Sequence, residues 1–516
     1  MGFTIIDYLI IVIYLLAIPT IGIWAAGSQK NTTDYFMGGR EMPWWAVLFS
    51  IVATETSTLT FISVPAVSYG GNLTFLQITL GYITGRILVS FIFLPAYYKG
   101  NLSTAYQFLA NRFGSSMRNI TSTTFMVTRL LADGVRLFAT AIPLAILLRL
   151  GGMFSGWSDY EIYISAITVI ALITIIYTFF GGIKAVVWID VIQMSVYIVG
   201  ALIAAAIILF ALPDGLTGVI DYTGSSNKLD FIYLGWDLSW REFLDQPYTL
   251  ITAILGGAVF SLASHGTDQL IVQRLFTTGT LSSARKALIG SGFVIFLQFT
   301  LFLGIGLLLF AFYDGQSAGQ LNLATTDEIF PKFILEEVPT GISGLIVAAL
   351  LAAAMSSLSS SLNSLASSTT LDLYKPYLGK NNSASQDLKV SRIFTVTWGV
   401  ILTGAAYYFA WLQLSATGER PAVVELGLGI ASYTYGGLLG TFLLGKLSQT
   451  VNRLDATIGF FTGLLTLLFM VEGPVQDLLP GDPVAIAWPL YTLVGTIVVI
   501  VVGQLSYYTR KLSPSS

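Results

Sequence analysis

Six serines fall within nine positions, at Ser356, Ser357, Ser359, Ser360, Ser361 and Ser364. They sit in the stretch AALLAAAMSSLSSSLNSLASSTTLDLY, from Ala348 to Tyr374. Successive helical residues turn by about 100°, so Ser356 and Ser360 share a face and Ser357 lies nearly on it. Hydroxyl and carbonyl oxygens are hard ligands that suit a hard cation. Zinc and iron are excluded as resident metals, because the chain has no Cys and one His. Small residues also let membrane helices approach closely. That packing reading accounts for the alanines more readily than for so many hydroxyls.

Other polar groups stand out because their surroundings are apolar. Asp190 lies in a run where a carboxylate costs about 2.5–3.5 kcal/mol on insertion scales. It is either an ion ligand or the partner of Lys184, one helix end away. Arg129 and Arg136 are two turns apart, with Asp133 between them. That set is either a self-neutralised ladder or leaves one guanidinium over for an anionic solute, which it would grip as a fork. Glu55 either pairs with such an arginine or binds a cationic solute. His265, the single histidine, is either a hydrogen-bonded core residue or an inner gate or solute donor. Asp268 either holds His265 or caps a following half-helix, whose positive end favours an acid. No paired titratable groups with nucleophile spacing are visible, so no catalytic residues are assigned and an enzyme is disfavoured.

These residues must be positioned by membrane helices. Of 516 residues 54% are hydrophobic and 10% charged, with mean hydropathy +0.76. A soluble chain carries about 25% charge, so this is an all-α integral membrane protein. Windows of roughly twenty residues give thirteen spans, near 5–26, 44–69, 74–98, 120–149, 161–181, 187–212, 248–271, 287–313, 341–366, 390–413, 421–445, 455–471 and 486–508. The first lacks a basic leader region and reads as a span rather than a cleavable signal. With the N-terminus outside, 17 of the 25 Lys and Arg fall on the cytoplasmic side. Lys228, Arg241, Lys332 and Arg420 fall outside. The positive-inside rule therefore predicts a multi-pass cell-membrane protein with the N-terminus out and the C-terminus in. The loops 213–247 and 314–340 are acidic and read as solvated outer caps. No basic patch suggests a nucleic-acid partner.

Spans two to eleven divide into two fives, numbered here core helices 1 to 10. Core helix 1 holds Ala53-Thr-Glu-Thr-Ser57 and core helix 6 holds Ser264-His-Gly-Thr-Asp268. Polar interruptions at matching places in two halves point to a transporter site. An odd repeat length inverts the second half. The expected segments are a leading helix and loop (1–43), a first repeat (44–212), an outer loop (213–247), a second repeat (248–445), and two trailing helices with a short tail (446–516).

The chain resembles the sodium:solute symporter family, the group with sodium–glucose and sialic acid symporters. The matching pieces are Gly38-Gly39-Arg40 with Pro43-Trp44-Trp45-Ala46; Tyr177-Thr178 with Gly181 to Val186 and Asp190 to Gln193; Gln269 with Gln273-Arg274; Ala348 to Asn363 with Asp372-Leu-Tyr374; and Gly436 to Gly445. The resemblance implies a LeuT-type five-plus-five inverted repeat and sodium-coupled secondary active import of a small polar solute, with carboxylates among the candidates. It implies a shared sodium site from the carbonyls of Ala53, Thr56 and Ala353 and the hydroxyls of Ser356 and Ser357. A further sodium site would use Asp190, Ser356, Ser359 and Ser360. Solute positions carried over are Glu55, Ser57, Thr60, Ser261, Ser264 and His265. Glu55, Thr60 and Ser261 stand where sugar transporters carry amides, which weakens a sugar or polyol reading. Ser57, Thr60 and Arg129 resemble the carboxylate-binding set of sialic acid members. A proton-coupled variant, a channel and a transport-dead sensor are the rivals. No filter repeat or output module supports the last two. Oligomeric state is not legible.

Overall fold

The computed structural model describes residues 4–150, 156–323, 325–415, 423–470 and 486–512. Among them the regular structure is helical, with no strand. Arg420, one of the expected outer charges, lies outside the described residues.

The leading helix is α1 (Ile5–Ala26). Core helix 1 is split into α2 (Trp44–Glu55) and α3 (Thr58–Gly70), bent by 63°. Core helices 2 and 3 are α4 (Gln77–Ile92) and α5 (Ser115–Leu150). Next comes α6 (Asp159–Ala211), with 53 residues. At 1.5 Å per residue a straight helix of that length would reach about 80 Å, far beyond a hydrocarbon layer of about 30 Å. It turns instead at Gly182, whose φ is 54° and ψ −153°. A Cβ there would lie 2.5 Å from the Tyr35 carbonyl oxygen, so both the angle and the contact demand glycine. Core helices 4 and 5 are the two arms of this bend.

Core helix 6 is split into α7 (Leu250–Gly266) and α8 (Gln269–Phe276). Then follow α9 (Leu281–Phe312), α10 (Ile342–Ser368), α11 (Ala384–Ser415) and α12 (Val423–Leu447). The trailing pair is α13 (Arg453–Met470) and α14 (Tyr491–Leu512). Among the described residues nine helices are long and apolar enough to cross a membrane, ten with the bent α2/α3 pair. That measure does not confirm the count of thirteen. It takes the bent α6 as one helix, and it does not include α5 or α12.

The serine helix α10 is central. It packs on α1, α5, α6, α8 and α11. The most apolar window of its span is 89% buried, against 17% for α1. Its N-terminus is held by α1: Asp7 Oδ1 accepts from the Gly341 and Gly344 amides (2.7 and 2.9 Å) and the Ser343 hydroxyl (2.6 Å). A carboxylate there satisfies amides that a helix start leaves unpaired and opposes its positive end. The outer loops dock more deeply than solvated caps would. Lys228 donates to the carbonyls of Tyr69 (2.6 Å) and Gly71 (3.0 Å) and lies over the Phe310 ring, and burial pulls its pKa below the usual lysine value. Phe330 is buried and stacks on Phe61 of α3.

Candidate ion and solute sites

The break in core helix 1 falls at Thr56–Ser57. A helix that stops leaves its last carbonyls without helical partners, and Ala53 and Thr56 stand at that stop. The Thr56 hydroxyl is engaged by Gln298 of α9 (donating at 3.1 Å, accepting at 2.8 Å). Thr58 donates to the Leu350 carbonyl of α10 (3.2 Å). A cavity at this junction is lined by Ala53, Thr56, Ala353 and Ser356, with Gln193, Met194, Tyr197 and Ala352. Four of the five residues expected to ligate sodium therefore line one space. Ser357 lines the neighbouring cavity instead, with Asp133, Arg136, Leu137, Thr140, Ala354 and Leu358. Gln193, three residues after Asp190 on the same arm of α6, was not singled out. Its membership of the Asp190–Gln193 motif was the available signal.

Asp190 is fully buried. Its Oδ1 accepts from Ser356 (2.6 Å) and its Oδ2 from Ser50 (2.5 Å). The Lys184 alternative is corrected: Lys184 meets Glu41 at the surface (3.4 Å). The cation beside Asp190 is Arg274 of α8, at 3.4 Å and also fully buried. Arg274 Nε donates to Ser50 (2.9 Å), Nη1 to the Leu270 carbonyl (2.8 Å), and Nη2 to Ser360. Ser359 and Ser360 each donate to the Ser356 carbonyl (3.0 and 2.6 Å).

The break in core helix 6 builds a second cluster. His265 Nε2 meets Glu55 Oε1 at 2.8 Å, and its Nδ1 meets the Ser264 hydroxyl at 2.8 Å and the Ser261 carbonyl at 3.1 Å. Glu55 Oε2 accepts from Arg86 at 2.5 Å, and Arg86 also donates to Ser291 (2.7 Å). Glu55 is thus paired with neither Arg129 nor Arg136, as the sequence had suggested, but with Arg86 of α4. Arg86 lies within the span expected at 74–98. The close approach of α4 to α7 brings it there: a Cβ on Gly85 would lie 2.4 Å from the Ala258 carbonyl oxygen. Ser57 caps α3, its amide donating to the Thr60 hydroxyl at 3.3 Å. Ser57 is buried and Thr60 partly exposed.

Arg129 does not join them. It donates to Asp268 (2.5 Å) and to the Tyr435 hydroxyl of α12, and lies 3.4 Å from Asp133. Asp268 also caps α8 through the Leu270 amide (2.8 Å) and accepts from Tyr435 (2.8 Å). This triangle ties core helices 3, 6 and 10. It settles Asp268 as the cap. The expected ladder exists, but with a second acid. Asp133 accepts from Ser361 of α10 (2.5 Å), and Arg136 reaches Asp133 only at 4.0 Å, with its side chain 26% exposed. The motif residue Gln273 is scaffold: it donates to Asn363 (2.6 Å) and the Phe36 carbonyl (2.8 Å). Among the described residues no cluster of three or more His, Cys, Asp or Glu could hold a metal.

The model of the sodium:solute symporter family matches residues 35–463. The chain belongs to this family. The symporter is 30% identical over 98% of its length to the sodium/sialic acid symporter NanT of Aliivibrio fischeri, covering 93% of that protein. It is 29% identical to the sodium/sialic acid symporter SiaT of Proteus mirabilis, over 98% of this chain and 95% of the other. Among solved structures, a substrate-bound outward-open sodium-coupled sialic acid symporter superposes with TM-score 0.83 at 28% identity, covering 98% of both chains. The symporter therefore has the LeuT-type inverted-repeat fold in a multi-pass membrane protein. It is a sodium-coupled secondary transporter that imports a small organic solute, and not an enzyme.

Proposed function

We propose that the solute carries a carboxylate, with sialic acid the first compound to test, and that two sodium ions accompany it. The observation that carries the solute's charge is the unequal engagement of the two arginines on α5. Arg129 is buried against two acids and a tyrosine, whereas Arg136 touches one acid at 4.0 Å and borders the cavity at Ser357. Arg136 rather than Arg129 is then the guanidinium left to fork a carboxylate. Glu55, His265, Ser261 and Ser264, with Ser57 and Thr60, supply the polar groups for the rest of the solute between the two breaks. The sialic acid specificity of the relatives supports the same chemistry.

Ala53, Thr56, Ala353 and Ser356, with Ser357 adjacent, form the shared sodium site. Asp190, Ser356, Ser359 and Ser360 form the second. Ser356 joins both, since it lines the first cavity and bonds Asp190. The N-terminus is outside and the C-terminus cytoplasmic. Sodium holds core helices 1 and 8 together facing out, and its release inward frees core helix 1 to move. Each sodium crossing 100 mV adds about 2.3 kcal/mol of drive.

The test is solute-dependent thermal stabilisation in detergent with sodium. Sialic acid should raise the melting temperature of the wild type, and Arg136→Lys should lose most of that gain because an ammonium makes no planar fork. Equal stabilisation of wild type and Arg136→Gln, or stabilisation by a neutral polyol alone, would remove the carboxylate reading.

A further inference from the structure

We infer that Arg274 is a tethered cation that occupies the second sodium site when sodium is absent and must leave it when sodium binds. The inference rests on the two-sodium reading above. It starts from the acceptors. A sodium held by Asp190 and Ser360 needs lone pairs on those same oxygens. In this structure the guanidinium takes them: Nη2 donates to Ser360 and lies 3.4 Å from Asp190 Oδ2. Three other cations are paired elsewhere. Lys184 is with Glu41, Arg129 with Asp268 and Asp133, and Arg86 with Glu55.

Charge then forces an exchange. Asp190 and Arg274 are both fully buried, so their site is neutral as it stands. Adding a monovalent cation without moving Arg274 would leave a net positive charge in a medium of low dielectric, which is strongly unfavourable. One carboxylate neutralises one cation. The tether also gives the displaced group a path. Arg274 belongs to α8, the short second half of the broken core helix 6, and keeps an anchor on its own helix through the Leu270 carbonyl (2.8 Å). Its other bonds reach α2 at Ser50, α6 at Asp190 and α10 at Ser360. Sodium entry at Asp190 would therefore break the bonds of Arg274 to three helices at once, leaving α8 joined to α10 through Gln273 and Asn363. After sodium leaves, the guanidinium returns and no bare carboxylate remains during the return of the empty carrier.

The experiment is a sodium titration of the full-length protein in detergent without solute, read by melting temperature, for the wild type, Arg274→Gln and Arg274→Lys. Removing the competing charge should lower the sodium concentration at half-effect by about tenfold or more in Arg274→Gln. The same variant should melt lower than wild type in sodium-free buffer and regain the difference as sodium is added. Arg274→Lys, which keeps a charge on a different reach, should fall between. A guanidinium with a purely structural role predicts an equal loss of stability with and without sodium. An unchanged or raised half-effect concentration in Arg274→Gln overturns the proposal. Should Arg274→Gln fail to fold, a half-effect concentration in Arg274→Lys at or above that of wild type overturns it. Asp190→Asn separates the two layers. Wild-type uptake should be sigmoidal in sodium and Asp190→Asn hyperbolic. That outcome with no shift in Arg274→Gln sinks the tether alone, whereas equally sigmoidal curves sink the two-sodium reading and the tether with it.

Discussion

Ser356 stands between the two proposed sodium sites. Its position lines the cavity at the helix 1 break, while its hydroxyl donates to Asp190 and its carbonyl accepts from Ser359 and Ser360. Ser357, one residue on, points into a different cavity, with Arg136. The two serines are therefore unequal. Ser356→Ala should raise the sodium concentration for half-maximal uptake by about tenfold, since a hydrogen bond to a charged group is worth about 1.5–3 kcal/mol and a hard ligand goes with it. Ser357→Ala should shift it less. Sodium titration of uptake at fixed solute checks both, and unchanged sodium dependence in Ser356→Ala would take core helix 8 out of ion binding. At this scale the serine cluster was visible in the sequence, and Ser359, Ser360, Ser361 and Ser364 spend hydroxyl bonds on carbonyls of their own helix. The partners of the charged groups were not legible. Glu55, Asp190 and Arg129 are matched by Arg86, Arg274 and Asp268, at separations of 31 to 139 residues. Only the packing of distant helices decides such pairs, and the nearby Lys184 and Asp133 were the candidates that sequence proximity offers.

Elements were more readable than pairs. The breaks in core helices 1 and 6 announced themselves as polar stretches inside apolar runs, and they fall at Thr56–Ser57 and Thr267–Asp268. The bend between core helices 4 and 5 was legible only as an interval between two spans. Its cause is a glycine in the left-handed region pressed against Tyr35. The role of α1 was hidden, because nothing in its sequence says that Asp7 reaches a helix start more than three hundred residues away. Asp7→Ala should remove three donors' acceptor from the start of α10 and lower stability by about 0.5–2 kcal/mol or somewhat more, as lost caps do. A melting curve in detergent measures it. A melting temperature within error of wild type would mean that α10 is positioned by packing alone.

For the whole molecule, the orientation proposed from charge sorting is open to a direct check, because the chain has no Cys. A membrane-impermeant thiol reagent should label Ser226→Cys in intact cells and should reach Asn381→Cys only after the membrane is opened; both positions are exposed. The reverse pattern would invert the topology. Glu55, Asp190, Asp268 and Asp133 are each matched by a buried or half-buried cation, and the driving ion is sodium. The most direct measurement is uptake of labelled sialic acid into proteoliposomes under an imposed inward sodium gradient. Accumulation above the outside concentration should appear with sodium, collapse when an ionophore dissipates the gradient, and be absent when choline replaces sodium at fixed pH. Undiminished accumulation in choline would contradict sodium coupling in this chain.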